Sequence, residues 1–265
     1  MTHRKSCFDE PKGTRFTSGM LRRLECALVL LFVLIVFSGE PSPAQAQTAT
    51  SAIGVYYVGP QDIIAEAIQL AAPHIVLVDQ PELAQVLVIN NTPPSEATLR
   101  MSSLVQQGDI GLVLFSGQRF PAEVQDLSDL MGVSTFDIER ADTRRALRKS
   151  EQIDPLQTAV AWNSAPPVYG RTVIYNPNLL LPLITTGVQE PAIQRVRGRE
   201  TTQVLFVDIW LSDASNIAWQ NWPYLRYLVY RLIADAAASS RVLSFSEYPL
   251  SPVPQGHLRF GIIAC

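Results

Sequence analysis

The sequence predicts an α/β protein built on an open, mostly parallel sheet with helices on both faces. Three observations point there. Short runs such as Val86-Leu87-Val88-Ile89 and Leu112-Val113-Leu114-Phe115 are apolar at every position, as strands buried on both faces are. Those runs alternate with segments of about ten residues at helical spacing, the order that generates parallel crossovers. The 265 residues are 47% apolar with a net charge of −3, so the chain is globular rather than disordered.

The elements follow in order. Ala52 to Gly59 is β-rich and ends at a Gly-Pro pair. Gln61 to Ala72 places Ile63, Ile64, Ala67, Ile68 and Ala71 at helical spacing. His74 to Val78 and Gln85 to Asn90 are strands, the second closed by Asn91-Thr92-Pro93-Pro94. Ser95 is positioned to cap a helix running to Gln107. Asp109 to Phe115 is a third apolar strand. Ala122 to Leu130 turns Val124, Leu127 and Leu130 inward, and Gly132 to Ile138 returns as a strand. Arg140 to Gln152 reads as an exposed helix whose Arg144, Arg145, Arg148 and Lys149 form a solvated face or, alternatively, a patch for an anionic ligand. Arg171 to Tyr175 and Leu179 to Ile184 are extended, and Gln203 to Trp210 is another buried strand. The last helix starts at Asn221 or Trp222 with Pro223 in its first turn; Leu225, Leu228, Val229, Leu232, Ile233 and Ala236 follow on one face. With right-handed crossovers, this is a flavodoxin-like sheet or a close relation.

The N-terminal segment reads as an export signal. Six basic residues (Arg4, Lys5, Lys12, Arg15, Arg22, Arg23) precede the unbroken apolar run from Cys26 to Phe37. A Pro/Ser stretch and Ala44-Gln45-Ala46 follow. A twelve-residue helix rises only about 18 Å against a hydrocarbon core of about 30 Å. Residues 1–46 are therefore expected to be a signal peptide or signal anchor and 47–51 a linker. Residues 52–240 would be the α/β domain and 241–265 a Pro-rich tail. The tail turns apolar from Leu258 to Cys265, either as a terminal strand or as the first residues of a membrane helix. The expected location is exported, extracytoplasmic and membrane-tethered if the anchor is retained. Removing residues 1–46 would leave 15 basic against 20 acidic residues and Cys265 as the last thiol.

Several classes are excluded. A mildly acidic chain lacks the basic face that nucleic acid requires. Three cysteines make no disulfide framework. Asp62, Glu66, Asp79, Asp126 and Asp129 show no metal-ligand spacing, and no glycine-rich phosphate loop is present. No metal or cofactor is expected.

Three segments resemble class I glutamine amidotransferase-like domains of bacterial membrane-associated proteins. Gly108 to Gly117 is similar to the strand leading to the nucleophile elbow of that family. Asp154-Pro155-Leu156 through Trp162-Asn163-Ser164-Ala165-Pro166 looks like its pocket strand followed by proline. Asp208 to Asp213, then Trp219 to Pro223, is similar to its late strand, acidic turn and Trp-Pro helix start. The resemblance spans roughly residues 52–238. It implies a Cys nucleophile with His and Glu downstream, but Ser116-Gly117-Gln118 occupies the elbow here. His74 and His257 are the histidines outside the N-terminal segment, and neither stands where the family's His would. A degenerate, non-catalytic member is implied, because glutamine hydrolysis needs the thiolate and its base.

Open α/β sheets bind ligands outside the carboxyl ends of their strands. Gly59, Asn91, Ser116, Gly117 and Asp208 are therefore the candidate ligand cleft. Ser116 lacks the flanking glycines of a Gly-x-Ser-x-Gly elbow. Trp210, Trp219, Trp222, Tyr224, Tyr227 and Tyr230 crowd one stretch. They make either core or a recognition surface of Trp219, Trp222, Arg226, Tyr227 and Tyr230. The expected function is a non-catalytic binding or assembly module at the cell envelope, with an envelope protein or a small ligand as partner. An exported serine hydrolase using Ser116 and an extracytoplasmic solute-binding domain are the alternatives.

Overall fold

A computed structural model describes residues 52–119, 125–187 and 189–249. An eight-stranded sheet forms its centre. Strands β1 (Ile53–Val58), β2 (Ile75–Leu77), β3 (Val86–Asn90) and β4 (Gly111–Phe115) are joined by β10 (Val204–Val207) into a parallel array. Its order is β2-β1-β3-β4-β10. With β10 as fifth strand this is the doubly wound flavodoxin-like order, whose switch point lies between β1 and β3.

The apolar runs divide between two cores as their pleat requires. Val86, Val88, Val113, Phe115, Leu205 and Val207 face one layer. There α1 (Ile63–Leu70) and α7 (Leu225–Ala236) pack on the sheet and on each other. Leu87, Ile89, Leu112, Leu114, Val204 and Phe206 face the other layer, which holds α2 (Glu96–Leu99), α3 (Ser102–Gln107) and α4 (Gln125–Met131). The expected helix over 95–107 is thus two. Ser95 caps the first through Thr98 N–H at 3.2 Å, and the break turns Met101 into the core. Asp62 caps α1, accepting from Ile64 N–H at 2.9 Å.

The chain leaves the parallel pattern after α4. β5 (Asp137–Ala141) pairs antiparallel with β7 (Arg171–Tyr175) in a separate two-stranded sheet. β6 (Leu147–Lys149), β8 (Leu180–Thr186) and β9 (Pro191–Val196) extend the main sheet antiparallel beyond β10, in the order β10-β9-β8-β6. The exposed helix expected over 140–152 is therefore corrected. Arg145 exchanges backbone hydrogen bonds with Val168, and Leu147–Lys149 pairs with Ile184–Thr186. Its charges belong to a sheet edge, where they discourage further strand pairing. The strand expected over 132–138 begins instead at Asp137. β9 carried no recognisable signal, because Gln194 and Arg195 interrupt its apolar run.

Two further boundaries move. Asp154-Pro155-Leu156 opens a short helix, α5 (Pro155–Ala159), and not a strand: the Asp154 carboxylate accepts from Leu156 N–H at 2.8 Å as its N-cap. α7 begins two residues beyond Pro223, after α6 (Ile217–Gln220). The packed body continues past residue 240, since Leu243 and Tyr248 are buried in the first core. The apolar runs expected at 26–37 and 258–265 lie outside the described residues. Among the described residues no helix is long and apolar enough to cross a membrane.

Candidate functional site

Strand register brings the expected cleft residues to one edge. Asn90, Phe115 and Val207 stand in one row across β3, β4 and β10. The next residues emerge together: Asn91 N–H donates to the Phe115 carbonyl at 2.8 Å, and Ser116 N–H to that of Val207 at 2.9 Å. Asn91 adopts a left-handed conformation, φ 48°, which asparagine tolerates better than most residues. Its Oδ1 then accepts Arg119 N–H at 2.7 Å and fixes the turn after β4. A Cβ on Gly117 would fall 2.1 Å from that same Oδ1, so the turn has room only for glycine.

Asn91, Ser116 and Gly117 line one cavity of about 60 Å³ together with Gln118, Trp210, Ser212 and Asp213. Ser116 Oγ and Ser212 Oγ are both buried without a hydrogen-bond partner among the described residues. Buried polar atoms normally have partners, so two unpaired hydroxyls are informative. Trp210 is held by its Nε1–H donating to Thr172 Oγ1 at 2.8 Å, and Asp213 by capping the turn at Ala214–Asn216. Reading the sequence missed Trp210, Ser212 and Asp213 as lining. They lie in the turn beyond β10, and the register of β10 against β4, which no sequence pattern marks, brings them here.

Gly59 and Asp208 stand apart from that cavity. Gly59 lies at the switch point, where a Cβ would be 2.6 Å from the Asn90 carbonyl oxygen. Beside it Asn90 Nδ2 donates to Tyr57 Oη and to Asp62 Oδ2, both at 2.8 Å, and Tyr57 Oη–H donates to the Pro60 carbonyl at 2.6 Å. Burial pushes the Tyr57 phenol well above its ordinary range, against the Asn90 hydrogen bond. The network is closed on itself and locks the β1–α1 turn.

Asp208 is fully buried. Its Oδ2 accepts Gln194 Nε2–H at 2.8 Å while Oδ1 has no partner among the described residues. Burial raises its pKa well above the usual carboxylate range; hydrogen bonds from Gln194 and the Ile174 backbone oppose this and lose. A raised folded pKa means that the contribution to stability is complete below the unfolded value, about 3.9. It is lost as pH climbs through the folded one. Wild-type unfolding free energy should therefore fall as pH rises above about 4. In Asp208→Asn that component should vanish, flattening the profile in urea titrations run across pH. Parallel profiles would contradict it.

The expected recognition surface is corrected. Trp219, Trp222, Tyr227 and Tyr230 are all buried. Tyr227 Oη–H donates to the Leu243 carbonyl at 2.9 Å, and Leu243 N–H donates to Tyr230 Oη at 3.0 Å. The segment after α7 thus folds over the face that was expected to be outward. Tyr248 lies 5.1 Å from the Tyr230 ring, and its phenol is pushed up to about 12 by burial. Of the five, Arg226 alone keeps a solvent-facing side chain, paired with Glu66 at 2.6 Å.

His74 is far from Ser116 in topology. It precedes β2, and its carbonyl accepts Ile53 N–H at the start of β1, so it occupies the amino edge of the sheet whereas Ser116 ends β4. His257 lies outside the described residues. No group of three or more His, Cys, Asp or Glu among the described residues is placed to hold a metal ion.

The fold and this edge define a doubly wound α/β protein of flavodoxin-like order. Two solved structures of Salmonella proteins share the fold. The cytoplasmic protein STM1381 of Salmonella typhimurium LT2 superposes with a TM-score of 0.53 at 10% identity, over 69% of this chain and 99% of its own. The cytoplasmic protein STM3548 of Salmonella typhimurium gives 0.50 at 10% identity, over 68% and 97%. A glutamine amidotransferase of Thermotoga maritima gives 0.42 at 8%, over 69% and 98%. No protein-family model and no curated protein matches the chain. The expected extracytoplasmic location is corrected on these findings. The two Salmonella proteins are named as cytoplasmic; the apolar run at 26–37 lies outside the described residues.

Proposed function

We propose that the protein is a non-catalytic binding module of amidotransferase-like shape, holding a small polar group of its ligand at the carboxyl edge of the parallel sheet. One observation carries the reading: the Ser116 and Ser212 hydroxyls line a shared cavity and bond to nothing among the described residues. Each can donate one hydrogen bond and accept others. A water's share of liquid is about 30 Å³, so the cavity takes a group of a few atoms, such as a carboxamide, with the rest of the ligand outside. Covalent chemistry at Ser116 would need a neighbouring base. His74 belongs to the opposite edge, and no cysteine occurs between Cys26 and Cys265.

Glutamine, asparagine, flavin mononucleotide and ADP make a direct thermal-shift panel. A member that binds should stabilise the protein by about 2.7 kcal/mol at a hundred times its dissociation constant. Gly117→Ala, which drives a methyl into Asn91, should abolish that shift. The same protein should release no ammonia from glutamine and leave a fluorophosphonate probe unreacted at Ser116. Turnover lost in Ser116→Ala, or labelling of Ser116, would overturn the proposal in favour of a hydrolase.

A further inference from the structure

The antiparallel flank carries a second concavity, on the far side of β10 from the strands that form the switch point. Its first part, about 430 Å³, lies along β6 and β8 and includes Arg148, Lys149, Glu151 and Arg197. Its second part, about 380 Å³, runs along β9 to the turn beyond it and includes Asp154, Arg195, Arg197 and Arg199. Gln152, Leu181 and Arg197 line both, so the two parts share a wall. Each is within the size range of small-molecule sites, about 300–1,000 Å³.

Charge sets this surface apart from the rest of the molecule. Five basic side chains line it against Glu151 and Asp154, and Asp154 is already paired with Arg195. The chain as a whole carries −3. Such a concentration of one sign in a concave surface focuses the field on whatever enters. The guanidinium groups are also incompletely used. Arg195 Nε and Arg199 Nη1 are buried without an acceptor among the described residues. Arg197, which lines both parts, donates from Nε to the Leu180 carbonyl at 3.2 Å. Arg199 is anchored through Nη2 to the Val105 carbonyl. Burial lowers the pKa of both Arg195 and Arg199, the direction expected of cations that an anionic ligand would stabilise.

We propose that this groove binds a small polyanion bearing at least two phosphate or carboxylate groups, with Arg197 as the bridging contact and Arg199 and the Arg148–Lys149 pair at either end. Planar guanidinium forks suit both groups through paired, charge-assisted hydrogen bonds. The site is independent of the cavity at Ser116, so either can fail without the other.

Isothermal titration of the full-length chain with inorganic pyrophosphate, and separately with citrate, tests it; potassium chloride matched for ionic strength is the control. Saturable one-to-one binding of either probe, weakened as salt rises, is the expected result. Arg197→Gln should weaken that binding by about tenfold or more, and Arg148→Gln combined with Lys149→Gln should weaken it further. Gly117→Ala should leave it unchanged. Arg148, Lys149 and Arg197 are exposed, so the variants should melt with wild type. No saturable binding of either probe would overturn the proposal, as would binding that survives Arg197→Gln undiminished. A preference between pyrophosphate and citrate would identify which anionic group the site selects.

Discussion

Trp219→Ala should destabilise the protein by about 3–5 kcal/mol. That corresponds to a melting temperature lower by roughly 6–20 °C in a protein of this size. The side chain is fully buried, and its ring meets Trp222 edge-on at a centroid distance of 5.0 Å. Trp222 in turn contacts Trp162 at 5.9 Å and Tyr224 at 5.4 Å. Removing the indole opens a void beside Trp222 in the buried core, and rigid neighbours close such voids only in part. Trp219→Phe should cost much less, because it keeps a ring and removes an indole N–H that has no acceptor among the described residues. Chemical denaturation of the three proteins checks the ranking. A solvent-facing recognition residue would behave differently, with Trp219→Ala changing stability by no more than about 0.5 kcal/mol.

Glu190→Ala is the second large effect, about 3 kcal/mol of lost stability. Arg171 is 1% exposed, at the start of β7. Its Nε and Nη2 both donate to Glu190 Oε2, and Nη1 donates to the Thr143 carbonyl at 2.9 Å. Without the carboxylate, a buried guanidinium is left with one neutral acceptor, and the desolvation of its charge goes uncompensated. The same reasoning makes the pair dispensable when removed together. Arg171→Met with Glu190→Leu should be less destabilising than Glu190→Ala alone. Urea titrations of the single and double variants decide this, and a double variant worse than the single one would refute it.

These two effects mark where the sequence was legible and where it was not. The strands β3, β4 and β10 were readable because a parallel strand covered on both faces cannot alternate, so every position along it is apolar. Helix α1 was readable from its spacing, while its Asp62 cap emerged only in the structure. Strand β9 was not, since it mixes Gln194 and Arg195 into a short run whose partners lie on β8 and β10. The basic stretch around Arg144 to Lys149 has a composition that suits a helix, yet its backbone pairs with Val168 and with Ile184–Thr186. Pairing between residues far apart in the chain overrides local preference there.

The site divides in the same way. Asn91, Ser116 and Gly117 could be nominated from sequence because they directly follow buried strands. Trp210 and Ser212 join them only through the register of β10 against β4. Asp208 was nominated on the same rule, but its side chain turns to Gln194 and away from the cavity. The aromatic stretch from Trp210 to Tyr230 had two readings, and the segment around Leu243 and Tyr248 chose between them by covering it.

By itself the sequence determined the layered α/β class, the order of the parallel strands' apolar runs and the absence of a cysteine between Cys26 and Cys265, all of which depend on local composition and spacing. The tertiary structure alone decided the antiparallel flank, the buried Arg171–Glu190 pair, and which polar groups share a cavity. Those depend on contacts between residues far apart in the chain, whose free energies arise only when the pieces meet and water is excluded between them.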